Sequence, residues 1–454
     1  MGGINFVLVL VDALRPSNMQ LYGYGLPTTP NLNVLASGAI VFENAYCTAT
    51  NTDPSLTAIF TGEYPAVTGI HNHGARVTAS EIRRAERLRY FTEVLRDNGY
   101  WTSAVDVSDR WHRKGFCEYV YQTKSNMYGL GSIGNEALDS LHIYDLFFGI
   151  VSRLVPPGRL PPANLKAEDV TDNAIRLVRR FGDRGNFLFV HYWDTHPPYM
   201  PPENLLSRFL ISRNLGELGE KTPSDIVQSF KRPLLKPIDC AWLRKAPSLE
   251  NVLAAYDGAV AHVDQEIGRL LQEIENRGQS DRTVVIVTAD HGESLIEHGV
   301  FFDHHSLYEP VVRVPLLILP PDRLSLRPRR VTTNVSHVDL FPTILELAET
   351  GSVHDGVSGK SLLPVILGKE EYPDRPILIE ESHFERKRAV RLGRYKMIEE
   401  LGDQLNACRL CGRPHGDQVE LFDLETDPNE VNNLAAERPD ILRKFETWRQ
   451  VSAA

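Results

Sequence analysis

Continuous apolar runs of strand length recur along the chain between stretches of helical texture; they include residues 6–11, 187–193, 283–288 and 314–319. A strand buried on both faces has no solvent side to alternate with, so such runs predict the interior of a mostly parallel sheet covered by helices. The helical stretches fit that scheme. Residues 79–98 end before Asn98-Gly99, 165–181 before Gly182 and 248–277 before Gly278, residues that release a helix at its C-terminus. From about residue 375 the texture changes. Short strand-like runs at 377–380, 388–392, 395–398 and 421–424 are followed by a charged helical stretch over 437–450. The pattern predicts an α/β fold: a large domain over residues 1–370 with a mostly parallel central sheet, then a subdomain over 371–454 with a small antiparallel sheet and one helix. The apolar segment 143–155, followed by Pro156-Pro157-Gly158, reads as a buried helix or a cap; the sharper reading is a greasy lid for a lipid-like substrate or a membrane surface.

Composition narrows the classes. Of 454 residues, 42% are hydrophobic and 24% charged, with a net charge of -10, the profile of an ordinary globular enzyme or binding protein. The acidic balance argues against nucleic acid, which is held by a basic face, but not against a small anionic substrate, whose pocket is set locally. Asp12 ends the first apolar run too soon for a secretory signal, and no run is long enough to span a bilayer. A cytoplasmic location is the expectation. The oligomeric state is not legible. The five cysteines are odd in number and scattered, so a disulfide framework is not expected. Cys408-Arg-Leu-Cys411, with His415 nearby, has half of a zinc-site spacing. No second pair along the chain completes it, and the bland reading is a surface loop with free thiols.

The chemistry-bearing residues follow the strands. Asp12 comes directly after the first apolar run, and Asp290-His291-Gly292 after the run at 283–288. In open α/β sheets ligands collect at the carboxyl ends of strands, so both acids can reach one crevice. Two carboxylates and an imidazole suit a divalent cation. A lone Asp after a strand is more often a helix cap, whereas Asp-His-Gly in that place is a rarer signal.

Residues 51–62, Asn-Thr-Asp-Pro-Ser-Leu-Thr-Ala-Ile-Phe-Thr-Gly, resemble the signature of the sulfatase family: a modified Cys or Ser, then x-Pro-x-Arg, running on to Thr-Gly. Thr29-Pro30-Asn31-Leu32, residues 288–292, Arg313-Val314-Pro315 and the tail over 421–434 resemble further family motifs, in the family's order, from about residue 4 to 436. The resemblance implies the alkaline-phosphatase-like sandwich and a metal-dependent ester hydrolase. Two positions depart from the pattern. The nucleophile's place holds Thr52, which cannot become the formylglycine of sulfatases, and Leu56 stands where the Arg closes the signature. In the same superfamily, phosphodiesterases of the nucleotide pyrophosphatase kind and lipid-headgroup phosphotransferases use an unmodified Thr there.

On that resemblance Thr52 is the nucleophile, and Asp12, Thr52, Asp290 and His291 hold one divalent ion; Ca²⁺ is the habit of sulfatases, but a Thr-based site with an imidazole ligand suits Mn²⁺ or Zn²⁺ ahead of Ca²⁺ or Mg²⁺. His196 and His304 are expected to bind and protonate, while Arg110, His112 and His305 contact the substrate. Asp194 with His196 is the alternative place for a second metal. The function implied is hydrolysis of phosphate esters through a covalent phospho-threonine. A sulfatase working with unmodified threonine and a phosphotransferase to an alcohol are the rival readings.

Overall fold

The first apolar run becomes a central strand. In chain order the strands of the large sheet are β1 (Asn5–Val11), β2 (Ile40–Tyr46), β3 (Trp101–Asp106), β4 (Glu118–Tyr121), β5 (Asn186–Tyr192), β6 (Thr283–Thr288), β7 (Arg313–Leu319) and β8 (Arg329–Ser336). Their spatial order is β4-β3-β5-β1-β6-β7-β2-β8. The computed structural model describes residues 3–121 and 166–446, apart from 109, 214, 233–236, 325, 352–355, 370, 371, 373 and 403–406. The apolar segment 143–155 lies outside the described residues.

β1 runs parallel between β5 and β6, with Phe6 opposite Phe187 on one side and Val284 on the other. All seven of its residues are buried, which is why its sequence shows no alternation. β3 lies parallel to β4 and β5, and β2 parallel to β8. β7 is antiparallel to both β6 and β2. Its apolar run is indistinguishable in composition from its parallel neighbours, because strand direction leaves no mark on a strand covered on both faces.

The helix Ala167–Val178 packs on β3 and β5 and against the long helix Leu249–Asn276, while the helices Thr52–Thr61, Phe91–Asp97 and Leu340–Leu347 pack together. The long helix starts where Ser248 Oγ accepts from Asn251 N at 3.3 Å, an N-cap. The stretch 79–98 forms two helices, Ala79–Arg87 and Phe91–Asp97, with an extended Leu88 between them. The Glu93 carboxylate accepts from Tyr90 N at 3.1 Å and so restarts the helix.

The smaller sheet holds β9 (Ile377–Glu381), β10 (Lys387–Leu392), β11 (Tyr395–Glu400) and β12 (Val419–Asp423), each antiparallel to its neighbour. Pro439–Leu442 and the turn Arg443–Phe445 are the described part of the charged helical stretch. Among the described residues no helix is long and apolar enough to cross a membrane.

Candidate active site

Because β1 and β6 are parallel neighbours with Leu10 opposite Thr288, the residues that follow each strand leave the sheet together. Asp12, Asp290 and His291 converge there, buried, with ligand atoms within 4.8 Å of one another. Ala13 N at 3.2 Å and His291 N at 2.9 Å both donate to Asp290 Oδ1, which fixes that oxygen and turns Oδ2 inward. His291 Nδ1 donates to the Gly292 carbonyl at 2.8 Å. Its Nε2 is therefore the lone-pair nitrogen, 3.4 Å from Asp290 Oδ2 and 3.9 Å from Asp12 Oδ1.

Those three facing atoms, Asp12 Oδ1, Asp290 Oδ2 and His291 Nε2, are buried without a hydrogen-bond partner. Acceptors that face one another with no donor between them are costly to bury. A divalent cation at their centre would satisfy all three, and the donor set, two carboxylates and a neutral imidazole oriented through its other nitrogen, fits one. The acids titrate apart. Burial pushes Asp12 up, but the neighbouring histidines, His196 foremost and then His191, outweigh it and bring it down to about 2. Burial and the neighbouring Asp12 raise Asp290.

The local backbone is built for this approach. A Cβ on Gly292 would stand 2.2 Å from the Pro310 carbonyl oxygen, so the turn after His291 has room only for glycine. Ala13, directly after Asp12, has φ 56°, a left-handed conformation that costs a residue with a Cβ about 1–2 kcal/mol.

Thr52 opens the helix Thr52–Thr61, and its Oγ1 donates to Asp12 Oδ2 at 3.4 Å. A helix N-terminus favours anionic groups. Ser55 Oγ donates to the Asp290 carbonyl at 2.6 Å and ties this helix to the carboxylate site. Leu56, in the place of the signature's Arg, is fully buried in the core. His304 lies beside the same site: its Nδ1 donates to the Thr50 carbonyl, and its ring stacks on His291 at 4.2 Å between centroids. His196 is next, 5.6 Å from His304 between centroids, with Nδ1 donating to the Pro197 carbonyl at 2.8 Å.

The other expected residues have these partners. Arg110 and His112 converge on the carboxylate of Asp53: Arg110 Nε lies 3.4 Å from Oδ2 and His112 Nδ1 4.0 Å from Oδ1. His73, which the sequence reading passed over, is 2.9 Å from Oδ2. Burial opposes ionisation of Asp53, and the three basic side chains outweigh it, holding its pKa well below the usual carboxylate range. They brace the residue next to Thr52. His305 turns away, with Nδ1 3.2 Å from Asp303 and Nε2 3.5 Å from Cys408 Sγ. Asp194 Oδ1 accepts from Ala167 N at 3.1 Å, at the start of a helix, and lies 3.5 Å from His262 Nδ1, while Oδ2 is buried without a hydrogen-bond partner.

One residue at the site was missed. His191, on β5, donates through Nδ1 to Asp106 Oδ1 at 2.7 Å and presents Nε2 3.7 Å from Asp12 Oδ2. Burial disfavours its cation, but Asp106 and Asp12 outweigh that and push it up to about 10. A histidine inside an otherwise apolar strand was the available signal, since a buried imidazole needs partners.

The family model described as sulfatase matches residues 4–350, and one described as N-sulphoglucosamine sulphohydrolase, C-terminal, matches residues 296–446. Arylsulfatase K of Xenopus laevis is 24% identical, across 97% of this chain and 81% of that protein. Choline-sulfatase of Rhizobium meliloti is also 24% identical, across 96% and 83%. Among solved structures, one in complex with its substrate D-glucosamine-2-N,6-O-disulfate superposes with a TM-score of 0.71 at 19% identity, covering 99% of this chain and 98% of that one. The phosphonate monoester hydrolase of Agrobacterium radiobacter superposes with a TM-score of 0.68 at 20% identity, covering 99% and 95%. The fold, the order of the motifs and the family match agree: this chain is an ester hydrolase that belongs to the sulfatase family, within the alkaline phosphatase superfamily.

Proposed function

We infer that the chain hydrolyses phosphate esters, diester or monoester, with Thr52 as its nucleophile. The observation that carries this reading is the Thr52 hydroxyl at a helix N-terminus, 3.4 Å from Asp12, where the family pattern has a residue convertible to an aldehyde. Asp12, Thr52, Asp290 and His291 would hold one divalent cation, with Mn²⁺ or Zn²⁺ ahead of Ca²⁺ or Mg²⁺ because imidazole is a softer ligand than carboxylate. Such an ion polarises the transferred group and lowers the pKa of a hydroxyl beside it.

The chain's own residues supply the rest. Thr52 Oγ1 attacks phosphorus and its proton leaves to solvent. The bond from phosphorus to the leaving oxygen breaks, and the imidazolium of His196 or His304 gives that oxygen its proton. The neutral imidazole then takes a proton from water as the water attacks the phospho-threonine, and Thr52 regains its proton from solvent. Phosphorus suits this second attack. A threonine sulfate has no second hydroxyl on the same carbon from which to expel sulfate, so it too must be cleaved at the transferred atom.

Sulfuric ester hydrolysis is the second reading, favoured by the sulfatases among the relatives; transfer to an alcohol acceptor is the third. We also take residues 1–370 as the catalytic domain and 371–454 as the subdomain, since the large sheet ends with β8 at Ser336 and the small one begins with β9 at Ile377. A cytoplasmic location belongs to the same reading, supported by five cysteines of which none forms a disulfide. Steady-state assays on matched aryl phosphate, phosphodiester, phosphonate and sulfate esters test the function. Phosphate esters are expected to turn over faster. Robust sulfate turnover with negligible phosphate turnover would overturn the reading.

A further inference from the structure

The loop between β11 and β12 carries Cys408, Cys411 and His415, and it folds onto the segment that holds His305. Cys408 Sγ lies 3.5 Å from His305 Nε2, and Cys411 Sγ lies 3.2 Å from His415 Nε2. One ligand atom each from His305, Cys408 and His415 falls within a mutual 4.8 Å, and all three residues are buried. We propose that these four side chains form a second metal site, a structural Cys2His2 centre for Zn²⁺ separate from the carboxylate site.

Four independent features agree. A tetrahedral zinc with its usual bonds to sulfur and nitrogen sets its ligand atoms about 3.3–3.8 Å apart; the Cys408–His305 and Cys411–His415 separations are close to that spacing, and Cys411, which stands outside the mutual 4.8 Å group, would move in to complete the tetrahedron. The cysteines sit on a tight knuckle: Gly412 N donates to the Cys408 carbonyl at 2.8 Å, with Gly412 at φ 73°. His305 presents Nε2 to Cys408, and Asp303 Oδ1 lies 3.2 Å from its Nδ1 without a hydrogen bond, close to the place of the carboxylates that support metal-bound imidazoles. Charge also balances, because Zn²⁺ with two thiolates and two neutral imidazoles is neutral and therefore tolerable in a buried place. Of the carboxylates nearby, Glu385 Oε1 is 3.8 Å from His415 Nε2, and Glu385 pairs with Lys387 at 2.9 Å.

Binding releases the two thiol protons to solvent. The sequence reading stopped at half a site because its completing ligand lies 103 residues upstream of Cys408. His305 directly follows His304, so the centre would clamp the loop that brings His304 to Thr50 and His291, which makes His305 a positioning residue.

The test uses the whole protein grown with cobalt in place of zinc. Thiolate-to-cobalt charge-transfer absorption is expected. It should be lost in Cys408→Ser/Cys411→Ser and retained in Asp12→Asn/Asp290→Asn, whose site has no thiol. Zinc-grown protein should lose about one metal equivalent per chain in the double cysteine variant. Should that variant fail to fold, the cobalt spectrum of the unaltered protein decides. Absence of the thiolate band, unchanged zinc content in the double variant, or a Cys408–Cys411 disulfide in freshly purified protein would overturn the proposal.

Discussion

His191 carries more of the site than its place in the sequence suggests. It sits between two buried carboxylates, Asp106 and Asp12, and removing it takes from Asp106 the imidazole beside it. His191→Ala is therefore expected to destabilise the protein by about 3–5 kcal/mol, the usual cost of stranding one member of a buried pair, as a drop in denaturant midpoint. A change within about 1 kcal/mol would mean that the imidazole is not charged. The convergence of Asp12, Asp290 and His291 was legible because they follow apolar strands, and Thr52 drew notice through its family motif. His191 was not legible, because the run around it reads as strand interior whatever its fifth residue does. Arg110 and His112 were legible as basic residues near the site but not as partners of Asp53, since nothing in the spacing aims a turn at residue 110 toward a helix start at residue 52.

At the scale of elements, the turns that leave the strands hold the chemistry, and two of them make separable predictions. Gly292→Ala would press a Cβ against the Pro310 carbonyl after β6. It should cost about 1–3 kcal/mol, as overpacking does, and weaken metal binding at least tenfold, read by competition with a chelator. The segment after β1 is pinned by Arg15, whose Nη2 lies 2.6 Å from Glu297 Oε1. Burial pushes Glu297 up, but Arg15 outweighs it and holds its pKa at about 2 against an ordinary 4.5. The folded value lies below the unfolded one, so this stabilisation is fully present above about pH 4.5 and is lost as the pH falls toward 2. Glu297→Gln should remove an acid-side contribution of the order of 2 kcal/mol, with urea unfolding near neutral pH revealing the loss and unfolding at about pH 3 revealing much less of it. Equal losses at both would contradict the pair's assigned role. The element pattern was read correctly at Gly99 and Gly278, each directly after a helix cap, but the helix expected to run to Gly182 ends at Val178. The pattern failed at Leu88, where a break between two helices hides inside one helical stretch, and at β7, whose direction leaves no compositional trace.

Across the whole molecule, the parallel pairing of β1 and β6 brings the ends of distant segments together, and the smaller sheet braces the chain before the nucleophile. Glu380 on β9 bridges to Ala49, and Glu381 accepts from the Thr50 hydroxyl. Stripping the protein with a strong chelator should abolish ester hydrolysis, and Mn²⁺ or Zn²⁺ should restore it better than Ca²⁺; recovery with Ca²⁺ alone would contradict the choice of ion. The most direct test of the central claim is rapid quench of a phosphate ester turnover followed by mass analysis of the peptide that holds Thr52. The account predicts a transient phosphoryl adduct on Thr52, absent from Thr52→Ala, with turnover in that folded variant lower by orders of magnitude. A Thr52→Ala enzyme that is fully active, or turnover with no adduct on Thr52 at any quench time, would contradict it.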